Sequence, residues 1–243
     1  MSEVVPRDDA AAAQRFRRLS VIVPVFNERS TVAEIVRRMR AVELPVDLEI
    51  VIVDDGSDDG TADVLTQLRD STVRVIKHST NRGKGAAVRT GLENATGELV
   101  LVQDADLEYD PEDWPRLLAP VMKGRARVVY GSRFTGERRN MLFLHWVGNR
   151  FLSLVTNVLY NSTLSDMETC YKLFDRSVLD GVRLVADRFD FEPEFTAKIL
   201  RRGIRIYEVP ISYAGREPNE GKKITWEDGV VALWTLVKYR FVD

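Results

Sequence analysis

The stretch Leu99-Val-Leu-Val-Gln103-Asp104-Ala-Asp106-Leu-Glu108-Tyr-Asp110-Pro111 sets the reading of the whole chain. Its first residues form a short apolar run closed by polar ones, the pattern of a buried strand, and the run empties directly into carboxylates. In an open α/β sheet the carboxyl end of a strand is where ligands bind. Asp104 and Asp106 stand two apart, so on an extended chain both side chains point to one side and can share a cation. A hard cation held by few carboxylates completes its shell with substrate phosphates, and the pair therefore reads as a Mg²⁺ or Mn²⁺ site for a phosphorylated ligand. A plainer reading competes, because Asp110 is a good helix N-cap, Pro111 a good first helical residue, and Asp113 suits the first turn. Capping accounts for Asp110 and Asp113 but leaves Asp104 and Asp106 without a reason.

Upstream, the chain alternates strand and helix. Leu19 to Val25 reads as a strand, followed by the turn Phe26-Asn27-Glu28-Arg29 and a helix whose apolar positions are Val32, Ile35, Val36 and Met39, with Thr31 and Glu34 in capping-box spacing. Leu48 to Val53 is a second strand, and a helix through Val64, Leu65 and Leu68 leads to a third at Val73 to Ile76. This order predicts a parallel sheet with right-handed crossovers. The second strand also ends in an acidic loop, Asp54-Asp55-Gly56-Ser57-Asp58-Asp59-Gly60. Ser57, Asp58 and Asp59 read as turn and cap residues, whereas Asp54 and Asp55, standing where the strand ends, suit contact with a nucleobase or ribose.

Between the third strand and the acidic pair lies Asn81-Arg82-Gly83-Lys84-Gly85-Ala86-Ala87-Val88-Arg89-Thr90-Gly91. Two readings stand side by side: backbone N–H groups and an ammonium offered to a phosphate, or glycines that let a helix pack closely. It is not a Walker A loop, since Gly85 follows Lys84 and His78 occupies the place of the first glycine, nor a dinucleotide fingerprint, since Val88 stands where the third small residue belongs.

Downstream, Trp114, Leu117, Leu118 and Val121 mark a helical face, and Val128 to Tyr130 a strand ending in Gly131-Ser132-Arg133, an arginine placed either for a diphosphate or for an ion pair. Met141 to Tyr160 is mostly apolar but interrupted by His145, Asn149, Arg150 and Asn157. It suits an amphipathic helix on a membrane surface or in the core better than a membrane span. Ser165 to Phe174 leads into a further strand, Phe191-Glu192-Pro193-Glu194 opens a helix, Ile204 to Val209 is a strand, and Val230 to Phe241 a closing helix, with Trp226, Trp234 and Tyr239 suited to a lipid interface. The loop Tyr213 to Lys223 is basic and glycine-bearing, a candidate lid over a phosphate or a solvated charged loop.

Composition narrows the function. With 35 Lys and Arg against 37 Asp and Glu the net charge is −2, which argues against nucleic acid as a partner. One cysteine, Cys170, excludes an internal disulfide and a cysteine-based zinc cluster, and two histidines, His78 and His145, argue against a Ser-His-Asp hydrolase or a multi-histidine metal site. Residues 1–18 lack an apolar h-region and read as a mobile tail. The remaining 19–243 read as one domain, with no boundary before about residue 135.

Taken in order, Pro24-Val-Phe-Asn27-Glu28, Val53-Asp-Asp-Gly-Ser57, Asn81-Arg-Gly-Lys-Gly85, Asp104-Ala-Asp106 and Gly131-Ser-Arg133 resemble the inverting family 2 glycosyltransferases of GT-A fold. Asp166-x-x-Thr-Cys-Tyr-Lys172 with Arg216 and Gly221-Lys-Lys223 resembles the dolichyl-phosphate mannose synthase and polyprenyl-phosphate hexose synthase branch. The resemblance implies a single GT-A-type α/β domain, a mostly parallel twisted sheet with helices on both faces. It implies a donor pocket formed by Pro24, Phe26, Glu28 and Asp55, with Asp54 assisting and Lys84 and Ala105 near the nucleotide. Asp104 and Asp106, with Glu108 as a third ligand, would hold Mg²⁺ or Mn²⁺ on the donor diphosphate. Arg133, Arg216 and Lys223 would sit on phosphates, and Asp166 near the reacting centre. The implied reaction moves a hexose from GDP-mannose, UDP-glucose or a UDP-N-acetylhexosamine to a polyprenyl phosphate, by an enzyme peripheral at the cytoplasmic face of a membrane. A soluble or glycolipid acceptor, or a silent nucleotide-sugar-binding module, is the alternative. A sugar-1-phosphate nucleotidyltransferase fits less well, because the turn after the first strand carries no glycine. Donor sugar, lipid length and oligomeric state are left open.

Overall fold

The computed structural model describes residues 16–216 and 226–242. Most of the expected tail and the candidate lid from residue 217, Lys223 included, lie outside the described residues. Where the tail is described it is ordered: Phe16 is buried in the core and Arg18 opens the first strand.

Seven strands, β1 (Arg18–Val25), β2 (Asp47–Asp54), β3 (Val73–Lys77), β4 (Leu99–Val102), β5 (Val128–Ser132), β6 (Lys172–Asp175) and β7 (Ile206–Pro210), form one sheet in the order β3-β2-β1-β4-β6-β5-β7. All pairings are parallel except those of β6, which runs antiparallel to both β4 and β5. The sheet is thus mostly parallel, as expected. The central strands are apolar without alternation because both faces are covered, and every residue of β4 is buried.

Seven helices accompany it among the described residues: α1 (Val32–Ala41), α2 (Thr61–Leu68), α3 (Lys84–Asn94), α4 (Trp114–Met122), α5 (Phe143–Tyr160), α6 (Phe191–Arg201) and α7 (Trp226–Phe241). In α1 the periodic residues Val32, Ile35, Val36 and Met39 are those buried. Its expected capping box does not form, since the Thr31 hydroxyl donates to Glu28 at 2.8 Å while Glu34 accepts from Arg37 and Arg38. Connections through α1 and α2 step outward from β1 to β3. The connection through α3 returns the other way to β4, so right-handed crossovers place α3 on the opposite face. There the glycines matter: a Cβ on Gly91 would collide with the Ile22 side chain of β1, and one on Gly85 would lie 2.5 Å from the Ala186 carbonyl oxygen. Asp110 accepts from the Glu112 amide and opens a 3-10 turn, Pro111–Asp113, ahead of α4. Trp114, Leu117, Leu118 and Val121 of α4 are buried, as their spacing predicts.

A second, smaller core joins α5, α6 and α7 through Leu152, Tyr160, Met167, Ala197, Ala232, Leu236 and Tyr239. Outside it, α5 exposes Leu144, Val147, Phe151, Leu154 and Val158, and α7 exposes Trp226, Val230 and Trp234. No helix among the described residues is long and apolar enough to cross a membrane.

Candidate active site

The strand order reverses between β1 and β4, and ligands of open α/β sheets bind beyond the carboxyl ends of strands at such a switch point. The register sets Ile22 beside Val102, so β1 delivers Phe26 to Glu28, β2 delivers Asp54 and Asp55, and β4 delivers Asp104 to one edge. β5 adds Arg133. Because β6 is antiparallel, its amino end lies on that same edge, which is how the segment from Asp166 to Lys172 reaches the site.

The strand ends at Val102 and the chain then turns, with Leu107 at φ 63°, so the extended geometry expected for the acidic pair does not persist. Fixed hydrogen bonds hold the turn instead. Gln103 Nε2 donates to the Asp104 carbonyl at 3.0 Å while its Oε1 accepts from Trp114 and Tyr171, and the Glu108 amide donates to Asp106 Oδ1 at 3.1 Å. The Lys84 ammonium lies 2.9 Å from Asp104 and 2.9 Å from Glu192. Burial, together with the carboxylates of Asp104 and Glu108, pushes the Asp106 carboxyl up to about 7. A carboxyl raised in this way is short of positive charge, and an oxygen-only donor set suits a hard divalent cation. Asp104 and Asp106 fit such an ion. Glu108, expected as a third ligand, is drawn into another set of contacts, accepting from the Tyr213 hydroxyl and the Arg216 amide, each at 2.7 Å. Among the described residues no three acidic, histidine or cysteine side chains converge to enclose a cation by themselves, so the pair leaves the rest of a coordination shell to a ligand.

Arg216 ties the two sides of the crevice. Its Nε donates to the Asp106 carbonyl at 3.0 Å, and its guanidinium pairs with Glu28, 8% exposed, at 2.9 and 3.2 Å. Glu28 was expected in the donor pocket and Arg216 on a phosphate, and here they pair with each other.

Asp55, expected to line the nucleoside pocket with Asp54 assisting, is engaged within the protein, whereas Asp54 keeps an unpartnered oxygen. Asp55 accepts from the Arg82 and Gly83 amides at 3.0 and 2.7 Å and lies 2.6 Å from His78 Nδ1, so it holds the Asn81–Gly83 turn. Asp54 accepts from the Ser57 amide through Oδ1, and its buried Oδ2 has no partner. Of the two readings of the glycine loop, the contacts support close packing. Gly83 N–H goes to Asp55, and the Gly85 and Ala86 amides donate to Arg188 and Asp187 carbonyls. The glycines serve close packing, and Lys84 alone of that loop's predicted residues stays at the acidic pair. Ala105 also departs from expectation, since its methyl group sits in the hydrophobic core, 3% exposed. Pro24 and Phe26 are half-buried at the end of β1.

Across the edge, Asp166 is wholly buried and grips Arg133 at 2.7 Å to Nε and 2.8 Å to Nη2, and it accepts from the Arg133 amide at 2.9 Å. Arg133 is thus in a buried ion pair, and Asp166 is a positioning residue whose oxygens are engaged. Asn149 of α5 accepts from the same guanidinium at 3.3 Å. Glu208 holds the Ser165 and Asp166 amides from β7. Two carboxylates not predicted for the site complete the floor. Glu192 lies beside Lys84, and Glu168 has its carboxyl pushed up to about 8 by burial and by Glu192. Local sequence marks Glu192 merely as a first-turn acid of a helix. The signal available for Glu168 was its place two residues after Asp166 on the approach to β6.

Comparison with known proteins was consistent with this geometry. A family model described as glycosyl transferase family 2 matches residues 20–183. A dodecaprenyl-phosphate galacturonate synthase of Rhizobium johnstonii is 30% identical over 213 residues, covering 84% of this chain and 61% of the relative. An undecaprenyl-phosphate 4-deoxy-4-formamido-L-arabinose transferase of Pseudomonas fluorescens is 30% identical over 209 residues, covering 84% and 59%. The chain thus spans about three fifths of the length of these curated relatives, at 61% and 59%. Among solved structures, glucosyl-3-phosphoglycerate synthase of Mycobacterium tuberculosis, in complex with Mn²⁺, UDP and glucosyl-3-phosphoglycerate, superposes with a TM-score of 0.73 at 18% identity, covering 100% of this chain and 88% of that one. At that identity the likeness establishes the fold.

Proposed function

The chain belongs to glycosyl transferase family 2, and from that premise we propose that it moves a hexose from a nucleoside-diphosphate sugar to a polyprenyl phosphate with inversion at the anomeric carbon. The observation that carries the reading is the Asp104–Asp106 turn, braced by Gln103 and Lys84 and facing the buried Arg133 across one sheet edge. The two curated relatives, named for polyprenyl-phosphate acceptors, support the lipid phosphate.

Under this reading residues 19–135 bind the donor and 136–243 the acceptor. The nucleoside lies at the ends of β1 and β2, where the free Asp54 Oδ2 would accept from the base or ribose. Asp104 and Asp106 would hold Mg²⁺ or Mn²⁺, which when bound supplies Lewis-acid stabilisation of the leaving diphosphate; the Mn²⁺ and UDP in the M. tuberculosis complex support a divalent ion. An acceptor phosphate oxygen attacks the anomeric carbon while the bond to the nucleoside diphosphate breaks. A phosphate monoester is already anionic near neutral pH, so no base need remove a proton. That suits an Asp166 whose oxygens are occupied: it keeps Arg133 charged and aimed, and Arg133 offers its charge to phosphate. Lys223 is assigned to the same phosphates from its motif.

The exposed stripe Leu144, Val147, Phe151, Leu154 and Val158 follows helical spacing along α5, and α7, which shares a core with α5, also exposes Trp226 and Trp234. Such a face suits peripheral seating on the cytoplasmic surface of a membrane, where a lipid phosphate would be met.

The test is transfer of label from UDP- and GDP-sugars to a polyprenyl phosphate with Mg²⁺ or Mn²⁺, counted in the organic phase, beside Asp106→Ala. Wild-type turnover with one donor and loss of at least about a hundredfold in the variant, at unchanged circular dichroism, is expected. Transfer to phosphoglycerate but not to lipid would replace the acceptor, and donor binding without any turnover would leave a binding module.

A further inference from the structure

We infer that the floor between the Asp104 end and the Arg133 end of the site, formed by Glu168 and Glu192, selects donors whose sugar is an uncharged, hydroxyl-bearing hexose and excludes uronates. The inference rests on the glycosyl-transfer reading above and names its donor class.

The position follows from contacts. Glu192 reaches the acidic turn through Lys84, which lies 2.9 Å from each carboxylate. The charges acting on Glu168 are those of Glu192, which is joined to Lys84, and of Lys172, Arg133 and Asp166. The two glutamates therefore span the gap between the proposed diphosphate end and the proposed acceptor end, which is where a transferred sugar lies.

Their chemistry follows from what they lack. Glu192 is 4% exposed, yet its Oε2 has no hydrogen-bond partner, and Glu168 Oε1 is likewise buried and unpartnered. A buried acceptor left unpaired is costly, and sugar hydroxyls are donors of the right kind. A uronate brings acceptors and a negative charge instead. The cations nearby are committed: Lys84 to Asp104 and Glu192, Arg133 to Asp166, and Lys172 to the Met167 and Thr169 carbonyls. Burial raises the Glu168 carboxyl to about 8, so near pH 7 it is neutral and the three cations face three other carboxylates, Asp104, Asp166 and Glu192. None of these cations is left uncommitted to meet the carboxylate of a uronate.

The experiment is calorimetric titration of the full chain, with Mn²⁺, using UDP and GDP alone and then the matched pairs UDP-glucose and UDP-glucuronate, UDP-galactose and UDP-galacturonate, and GDP-mannose and GDP-mannuronate. The hexose of the preferred pair should bind on the order of tenfold or more tightly than its uronate. Glu168→Gln and Glu192→Gln should each shrink that ratio. A uronate that binds as well as its hexose in wild type overturns the inference while nucleotide binding upholds the reading beneath it, and this arm needs no variant to fold. An unchanged ratio in both folded variants also overturns it. If neither UDP nor GDP binds, the glycosyl-transfer reading falls and the inference with it.

Discussion

Removing the Asp166 carboxylate should unfold the chain more readily, and removing both members of its ion pair should not. Asp166 is 0% exposed and Arg133 8%, and three hydrogen bonds of 2.7 to 2.9 Å join them. Asp166→Ala would leave a guanidinium desolvated and a backbone amide unpaired. Stranding one member of a buried pair costs about 3–5 kcal/mol. With a urea dependence of about 1–3 kcal/mol per molar, toward the top of that range for a chain this long, the midpoint should fall by at least about 1 M. Replacing both groups by apolar residues of similar volume, Arg133→Met with Asp166→Leu, removes the stranded charge and should return the midpoint to near wild type. Neither protein should transfer sugar, because the charge aimed at phosphate is gone from one and misplaced in the other. Urea unfolding followed by circular dichroism, beside the lipid-transfer assay, separates the two effects. A midpoint for Asp166→Ala within about 0.3 M of wild type, or a double variant as unstable as the single one, would refute the view that Asp166 acts by holding a buried cation.

Two further outcomes follow from the floor and from α5. Glu168 is raised to about 8, so between its unfolded value and about 8 the folded chain binds the extra proton and stability falls as pH rises; Lys172, lowered to about 8 by burial, binds fewer protons when folded, so above that point stability rises again. Urea midpoints measured from about pH 5 to about pH 10 should pass through a minimum near pH 8, and Glu168→Gln should flatten the falling limb; a wild-type midpoint that climbs steadily through pH 8 would contradict this. On α5, Leu144 and Phe151 are 78% and 51% exposed, so Leu144→Ser with Phe151→Ser should leave thermal unfolding unchanged and abolish flotation with anionic vesicles, and a variant that still floats would argue against the stripe as a membrane face.

What was legible in the sequence was local. The buried run Leu99 to Val102, the periodic stripe of α1 and the turn chemistry around Asp110 each declare themselves within a few residues, and the motif order supplied the fold. What escaped was partner choice across the chain. Nothing near Asp55 says that its oxygens will hold the amides of Arg82 and Gly83 and thereby leave Asp54 with the free one. Gly83 and Gly85 stayed open between a phosphate cradle and close packing because the 186–188 segment, which takes the amides at that helix start, lies a hundred residues away. Arg216 was expected on a phosphate, but its pairing with Glu28 joins residues 188 apart. Glu168 and Glu192 read as ordinary helix-start or strand-approach acids until the antiparallel β6 and the seating of α6 set them beside Lys84 and Arg133.

That antiparallel strand links the parts of the molecule that the proposed reaction would have to bring together. A parallel β6 would carry residues 166–172 to the opposite edge. Reversed, it sets Asp166 under Arg133, and Met167, on the same short segment, is packed into the core shared by α5, α6 and α7. Asn149 then accepts from the Arg133 guanidinium from the inner side of α5, while Phe151 and Leu144 of the same helix stand in solvent. One helix therefore touches Arg133 with one face and exposes an apolar stripe on the other. Under the proposed transfer to a lipid phosphate, this 18-residue helix, Phe143–Tyr160, would fix the height of Arg133 above the membrane surface.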